Sequence, residues 1–173
     1  MDSESDLVYE DVNPATGEVI AEFPSATDSE IEAAIDAAQG AVAKWREVPL
    51  RDKARYLFDL RGKFEEHFER LCRVLVQDHG RTIGEARGTL RRCIENIESA
   101  CSALLLLTKG ECVTDLAKGL DQALYWEPRG VFLIITPNNI PMHAWSSYVP
   151  YALASGCPVV VSPSKNDPVC LDA

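Results

Sequence analysis

The segment VFLIITPNNIP, from Val131 to Pro141, and the later ALASGCPVVVSPS, from Ala152 to Ser164, constrain the fold more than any other part of the chain. An apolar run ends in Thr136-Pro137, an asparagine pair follows, then a helix-length stretch, then a second apolar run. Short apolar runs bounded by turn signals and separated by a helical length read as strand, helix, strand. In sheets built from such units, ligands bind in the crevice beyond the carboxyl ends of the strands. Asn138 and Asn139 fall at such an end. The chain finishes at Ala173, soon after the second strand. Two parallel strands are fewer than a doubly wound sheet needs, so the sheet is expected to be incomplete.

Hydrophobic residues make up 46% of the 173-residue chain and charged residues 25%, which places it in the soluble globular class and excludes the disordered one. No apolar stretch approaches the roughly 20 residues that cross a bilayer. The acidic start MDSESDLVYEDV lacks the basic and apolar parts of a secretion signal. A cytoplasmic protein without membrane contact is the expectation. The net charge of −10 is concentrated at the start: residues 1–43 hold eleven acidic and no basic side chains, against 16 acidic and 17 basic in the remainder. No positive face suited to nucleic acid emerges. The acidic quarter reads as solvated surface with favourable charges at a helix N-terminus rather than as an interaction tail. None of the six cysteines forms a CxxC or a zinc-like His/Cys spacing. Reduced thiols packing as small hydrophobes are expected, with no metal site.

Along the chain, residues 1–12 read as extended, and NPATGE supplies turn signals before a short strand from Val19 to Phe23. Thr27 and Glu30 form a capping box ahead of a helix whose apolar stripe is Ile31, Ala34, Ile35, Ala38, Val42 and Trp45. Pro49 ends it. The spacing predicts one second helix from Leu50 to Gln77, with Ala54, Leu57, Leu60, Phe64, Phe68, Leu71 and Leu75 inward and Gly80 closing it. His67 and His79 read as surface or cap residues. A second capping box, Thr82 with Glu85, opens a third helix to about Leu106 with Ala86, Leu90, Ile94, Ile97, Cys101 and Leu104 inward. Lys118-Gly119 then marks the turn of a hairpin. The expected organisation is an α/β chain: a helical part over residues 1–109, a hairpin over 110–127 that serves as an oligomerisation arm or a plain connection, and the βαβ unit over 128–173. Apolar surface on Val131–Ile135 and Val159–Val161 is expected to stay exposed and to drive self-association unless another chain covers it.

These pieces together resemble the N-terminal part of the aldehyde dehydrogenase superfamily, and most of all its methylmalonate-semialdehyde dehydrogenase branch, which acylates coenzyme A. The resemblance runs collinearly through NPATGE, AIDAAQGAVAKWREVP, DHGRTIGEARGTLRRCIENIESAC, GECVTDLAKGLD, PRGVFLIITPNNIP and ALASGCPVVVSPS. It implies the first part of a doubly wound, Rossmann-like domain that binds NAD or NADP, in an oligomeric enzyme that oxidises an aldehyde or semialdehyde through a cysteine thioester. Coenzyme A is then a co-substrate in the acylating branch. By the motif, Asn139 is the carboxamide that donates to the oxyanion, where charge develops. Without the family, the same residue reads as a turn-stabilising asparagine.

The resemblance also assigns Ile135, Thr136, Pro137, Asn138, Ser162, Ser164 and Lys165 to the cofactor site. Here the sequence departs from the family pattern. The family's KPSE reads Ser162-Pro163-Ser164-Lys165, so the cofactor-contacting lysine is serine and the glutamate is lysine. A short neutral side chain does not replace a long cation. Lys165 favours a 2′-phosphate, hence NADP, or else marks lost binding. The nucleophilic cysteine, the general-base glutamate and the glycine-bearing cofactor loop find no match, so this chain by itself is expected not to oxidise aldehydes. Three readings follow: the first portion of a dehydrogenase that pairs with the remaining C-terminal part, a non-catalytic module pairing with a full-length relative, or a decayed remnant. His143 and Trp145 lie near a substrate entrance, with Trp145 expected to pack and His143 to face solvent.

Overall fold

Two threonines start the two longest helices. The hydroxyl of Thr27 accepts from the Glu30 amide at 3.3 Å, and the Glu30 carboxylate accepts from the Thr27 amide at 2.7 Å. Thr82 and Glu85 repeat the arrangement at 3.3 and 3.1 Å. Each box satisfies amides that a helix start otherwise leaves unpaired. The computed structural model describes residues 3, 5–166 and 168–173, with Leu107 described by its main chain only. Strands β1 (Val8–Val12) and β2 (Val19–Pro24) form an antiparallel pair. Four helices follow: α1 (Asp28–Glu47), α2 (Leu50–Glu66), α3 (Phe68–His79) and α4 (Ile83–Thr108). A hairpin, β3 (Glu111–Ala117) and β4 (Leu120–Leu124), leads to β5 (Phe132–Ile135), α5 (Pro141–Ala154), β6 (Val159–Ser162) and the short α6 (Val169–Asp172).

Helix α4 is the centre of the packing. One core joins Leu71, Cys72 and Leu75 of α3 to Ala86, Leu90 and Cys93 of α4, Met142 of α5 and Cys170 of α6. A second joins Leu57, Leu104 and Ala154. Helices α4 and α5 are also bridged by Asn96, whose amide donates to the hydroxyls of Ser146 at 3.0 Å and Ser147 at 3.1 Å. Trp145 of α5 stacks on Phe64 of α2, centroids 5.8 Å apart, as the packing role expected of it requires.

Three expectations are corrected. The helix expected to run from Leu50 to Gln77 is two helices that meet at His67, where φ is −101° and ψ is 11°. The amide of His67 still reaches the Lys63 carbonyl at 3.0 Å, so the chain bends without losing its ladder. The bend lets α2 lie against α4 and α5 while α3 reaches α4 and α6. On α1, only Ala38 of the apolar stripe is buried, and Ile31 and Ile35 stay about half exposed. On β6, Val159, Val160 and Val161 are half-buried rather than exposed, because α1 and α5 both reach that strand.

The hairpin turns at Gly119, as its sequence indicates, and both of its strands are exposed throughout. Strands β5 and β6 pair in parallel, Phe132 with Val159 through Ile135 with Ser162. Side chains alternate across a strand. Ile134 is buried, whereas Leu133 and Ile135, on the opposite face, are 62% and 71% exposed. That face is uncovered among the described residues.

Candidate functional site

The site forms where β5 ends. The Thr136 amide extends the strand pairing by donating to the Ser162 carbonyl at 3.0 Å. This brings Ile135, Thr136 and Ser162 side by side at the carboxyl edge of the sheet. Pro137, Asn138 and Asn139 then leave the sheet as an exposed turn, and Pro141 starts α5 at a position where its missing amide costs nothing. Arg81, in the link between α3 and α4, donates from its guanidinium to the main-chain carbonyl of Asn139. The Asn139 main chain is therefore anchored, while its carboxamide is exposed and has no hydrogen-bond partner among the described residues.

The other sequence-selected residues divide by environment. Thr136 is 2% exposed, and its hydroxyl oxygen has no partner among the described residues. Ser162 and Lys165 are exposed and Ser164 is half-buried, its hydroxyl accepting from the Asn166 amide at 3.2 Å. The Lys165 ammonium lies 5.5 Å from the ring centroid of Tyr9, a cation–π distance that ties the segment after β6 to β1. His143, expected to face solvent, is half-buried. Its carbonyl accepts from Ser146 at 2.9 Å and Ser147 at 2.8 Å, and its Nδ1 is enclosed. Helix α4 lies against this turn of α5, where the Cys93 thiol reaches the carbonyl of the neighbouring Met142 at 3.5 Å.

None of the six cysteines is joined in a disulfide, and only Cys112 is exposed. Burial pushes the Cys93 thiol up to about 11 and raises those of Cys72 and Cys101. An activated nucleophile needs the opposite shift. Cys157 is 2% exposed at the entry to β6, which agrees with a packing role.

A second polar group was not legible in the sequence. Linear spacing gives no metal-type cluster, yet Asp78 and His79 at the end of α3 meet Cys170 of α6, with donor atoms all within 4.8 Å of one another. The His79 side chain is 7% exposed, so its reading as a surface or cap residue is corrected: it ends α3 but points inward. Burial, and then the nearby Arg81, hold His79 down to about 4. Asp11 of β1 is fully buried beside Asp78, and burial, then that neighbouring carboxyl, raise it to about 7. The only signal in the sequence was the adjacent Asp78-His79 pair; its partner lies some ninety positions on.

A parallel strand pair with a polar turn at its carboxyl end defines the opening of a nucleotide-binding α/β sheet. The family model described as "Aldehyde dehydrogenase family" matches residues 1–173, and the chain belongs to that family. Among curated relatives, malonate-semialdehyde dehydrogenase 2 of Oceanobacillus iheyensis is 40% identical over 161 residues, covering 92% of this chain and 33% of the relative. Malonate-semialdehyde dehydrogenase 1 of Geobacillus kaustophilus is 37% identical over 157 residues, covering 91% and 32%. The crystal structure of methylmalonate-semialdehyde dehydrogenase from Oceanimonas doudoroffii superimposes with a TM-score of 0.93 at 35% identity, covering 98% of this chain and 35% of that one. The chain thus spans about a third of the length of the relatives it matches. The chain thus has the expected α/β architecture, matching the N-terminal part of that Rossmann-like fold with its sheets incomplete. No helix among the described residues is long and apolar enough to cross a membrane.

Proposed function

We propose that this chain supplies the N-terminal third of an NAD- or NADP-dependent dehydrogenase that oxidises a small semialdehyde, with Asn139 donating to the developing oxyanion. The observation that carries this reading is the anchored turn: Arg81 holds the Asn139 carbonyl, and the carboxamide is left exposed at the carboxyl edge of the sheet. A donor fixed before reaction is worth more than one that must reorient, because no reorganisation is needed when charge appears. The relatives' names supply the substrate class, a malonate-type semialdehyde. Coenzyme A as acyl acceptor extends the same proposal, by likeness to the acylating branch.

The residues at the sheet edge fit the sugar end of a nucleotide. Ser162 and Lys165 offer an exposed hydroxyl and an ammonium, Ile135 an exposed apolar face, and Thr136 a buried hydroxyl oxygen without a partner among the described residues. The bound cofactor supplies the hydride acceptor. Lys165 in place of an acidic residue favours a 2′-phosphate, so NADP is the preferred form. In the complete enzyme the exposed Leu133 and Ile135 face is covered by helices of the remaining sheet domain, and the β3–β4 hairpin serves as an arm between subunits of a homo-oligomer.

The test is a chimera in which this chain replaces the matching N-terminal third of the Oceanobacillus iheyensis relative. It is expected to oxidise malonate semialdehyde with formation of NADH or NADPH, the latter more efficiently. A chimera that folds and assembles but forms neither would overturn the reading.

A further inference from the structure

Two enclosed side-chain atoms without a hydrogen-bond partner among the described residues flank the Asn139 turn: the hydroxyl oxygen of Thr136 before it and Nδ1 of His143 after it. His143 is the third residue of α5, and its half-buried ring stands in the helical turn that follows directly on Asn139. Its main chain is held twice. The hydroxyls of Ser146 and Ser147 donate to its carbonyl at 2.9 and 2.8 Å. The Asn96 amide of α4 donates to both hydroxyls in turn. The ring is therefore carried on a fixed stretch of helix.

A neutral imidazole carries its proton on one nitrogen or the other, and the surroundings of each decide which. A buried N–H without an acceptor is rarer in proteins than an idle acceptor. Nδ1 is enclosed with no acceptor beside it, so the lone pair belongs there and the proton on Nε2. Nε2 itself is not among the enclosed atoms and makes no hydrogen bond within the described residues. His143 thus offers one outward N–H donor of fixed tautomer. Ser147 and Tyr151 follow it at helical spacing, and both line the open groove between α5 and β5 that reaches Ile135 at the carboxyl end of the strand. This side of α5 is open rather than packed.

We propose that His143 is a specificity-determining residue, its Nε2–H donating to the distal carboxylate of the semialdehyde while Asn139 donates to the aldehyde oxygen. This assignment rests on the dehydrogenase reading and deepens it. A malonate-type semialdehyde has its carboxylate and its aldehyde separated by one methylene, so the groups that hold both come from adjacent positions of the fold. The Asn139 turn and the first turn of α5 are such positions. A hydrogen bond to an ionised acceptor is stronger than one between neutral groups. A donor that an uncharged substrate leaves unpaired also penalises that substrate. The selection is therefore for an aldehyde bearing a nearby carboxylate over a plain aldehyde of the same length, such as propanal.

The test compares kcat/KM for malonate semialdehyde and for propanal in the chimera with His143, with H143M and with H143Q. H143M roughly keeps the volume and removes the donor. Its preference for malonate semialdehyde over propanal is expected to fall roughly 10- to 100-fold, the scale of one hydrogen bond to a charged group. H143Q, whose carboxamide N–H reaches about as far as Nε2, should restore part of the preference. A preference that H143M leaves within about 2-fold of the parent is too small a change for such a bond and overturns the proposal. Should H143M fail to fold, H143A is read by the same ratio. The two possible failures are distinct. A chimera that folds and oxidises neither aldehyde overturns the dehydrogenase reading and this assignment with it, whereas an active chimera with an unmoved preference overturns the role of His143 alone.

Discussion

The guanidinium of Arg81 donates to the main-chain carbonyl of Asn139, 58 residues further along the chain. Arg81 follows the left-handed Gly80 that ends α3, at φ +61°, and precedes the cap of α4. Its position is therefore set by two helix ends, and it transmits that rigidity to the turn. Replacing it with Gln is expected to lower kcat of the chimera roughly 10- to 100-fold, the scale of a small misplacement of a catalytic group. KM should change much less, and R81K should restore part of the loss. Steady-state kinetics checks this; an R81Q enzyme with unchanged kcat would show that the contact does not position Asn139.

Lys53 is 8% exposed, with its ammonium 5.7 Å from the Trp45 ring centroid and no ion pair among the described residues. Burial lowers its pKa below the usual lysine value, and the sulfur of Cys157 offsets this only in part. The unfolded chain then binds more protons between the lowered value and 10.5, so stability rises with pH across that window and the full penalty remains below it. K53M is expected to stabilise the chain at neutral pH by about 1 kcal/mol and to flatten the alkaline rise. Urea unfolding at neutral and alkaline pH measures both.

Gly156 joins α5 to β6 with φ at +87°, and a Cβ there would stand 2.6 Å from Pro128 Cγ. Strain and overlap act together, so G156A is expected to cost about 2 kcal/mol or more. G62A, on the open face of α2 with nothing near its Cβ, should instead be neutral or stabilising by up to about 1 kcal/mol. Thermal or urea unfolding of the two variants gives the comparison.

Leu90 of α4 is fully buried within the core that joins α3, α4, α5 and α6. L90A is expected to destabilise by about 2–5 kcal/mol, the range for buried leucine truncation. L105A, at a position 71% exposed on the same helix, should cost less than about 1 kcal/mol.

Local signals were read well where one short stretch determines its own geometry. Both capping boxes, the Gly119 turn and the β5–α5–β6 unit are of this kind. The bend at His67 was not legible, because no proline or glycine marks it and the apolar period continues through it. Only the differing partners of α2 and α3 call for it. The half-covered stripe of α1 is similar: Ile31 and Ile35 signal a buried face, but both stay about half exposed among the described residues. At the site, the turn was visible in TPNN, whereas its anchor at Arg81 and the Asp78–His79–Cys170 group were not. Both are made by residues far apart in sequence, which periodicity and spacing do not relate.

The central claim is that the Asn139 carboxamide stabilises developing negative charge. The direct test is kcat of the chimera with Asn139 and with N139A, measured as cofactor reduction at saturating semialdehyde. A fall of about 10²- to 10³-fold with little change in KM is expected for loss of an oxyanion donor. A folded N139A enzyme with kcat within about 2-fold of the parent, far short of what such a donor contributes, would contradict the account.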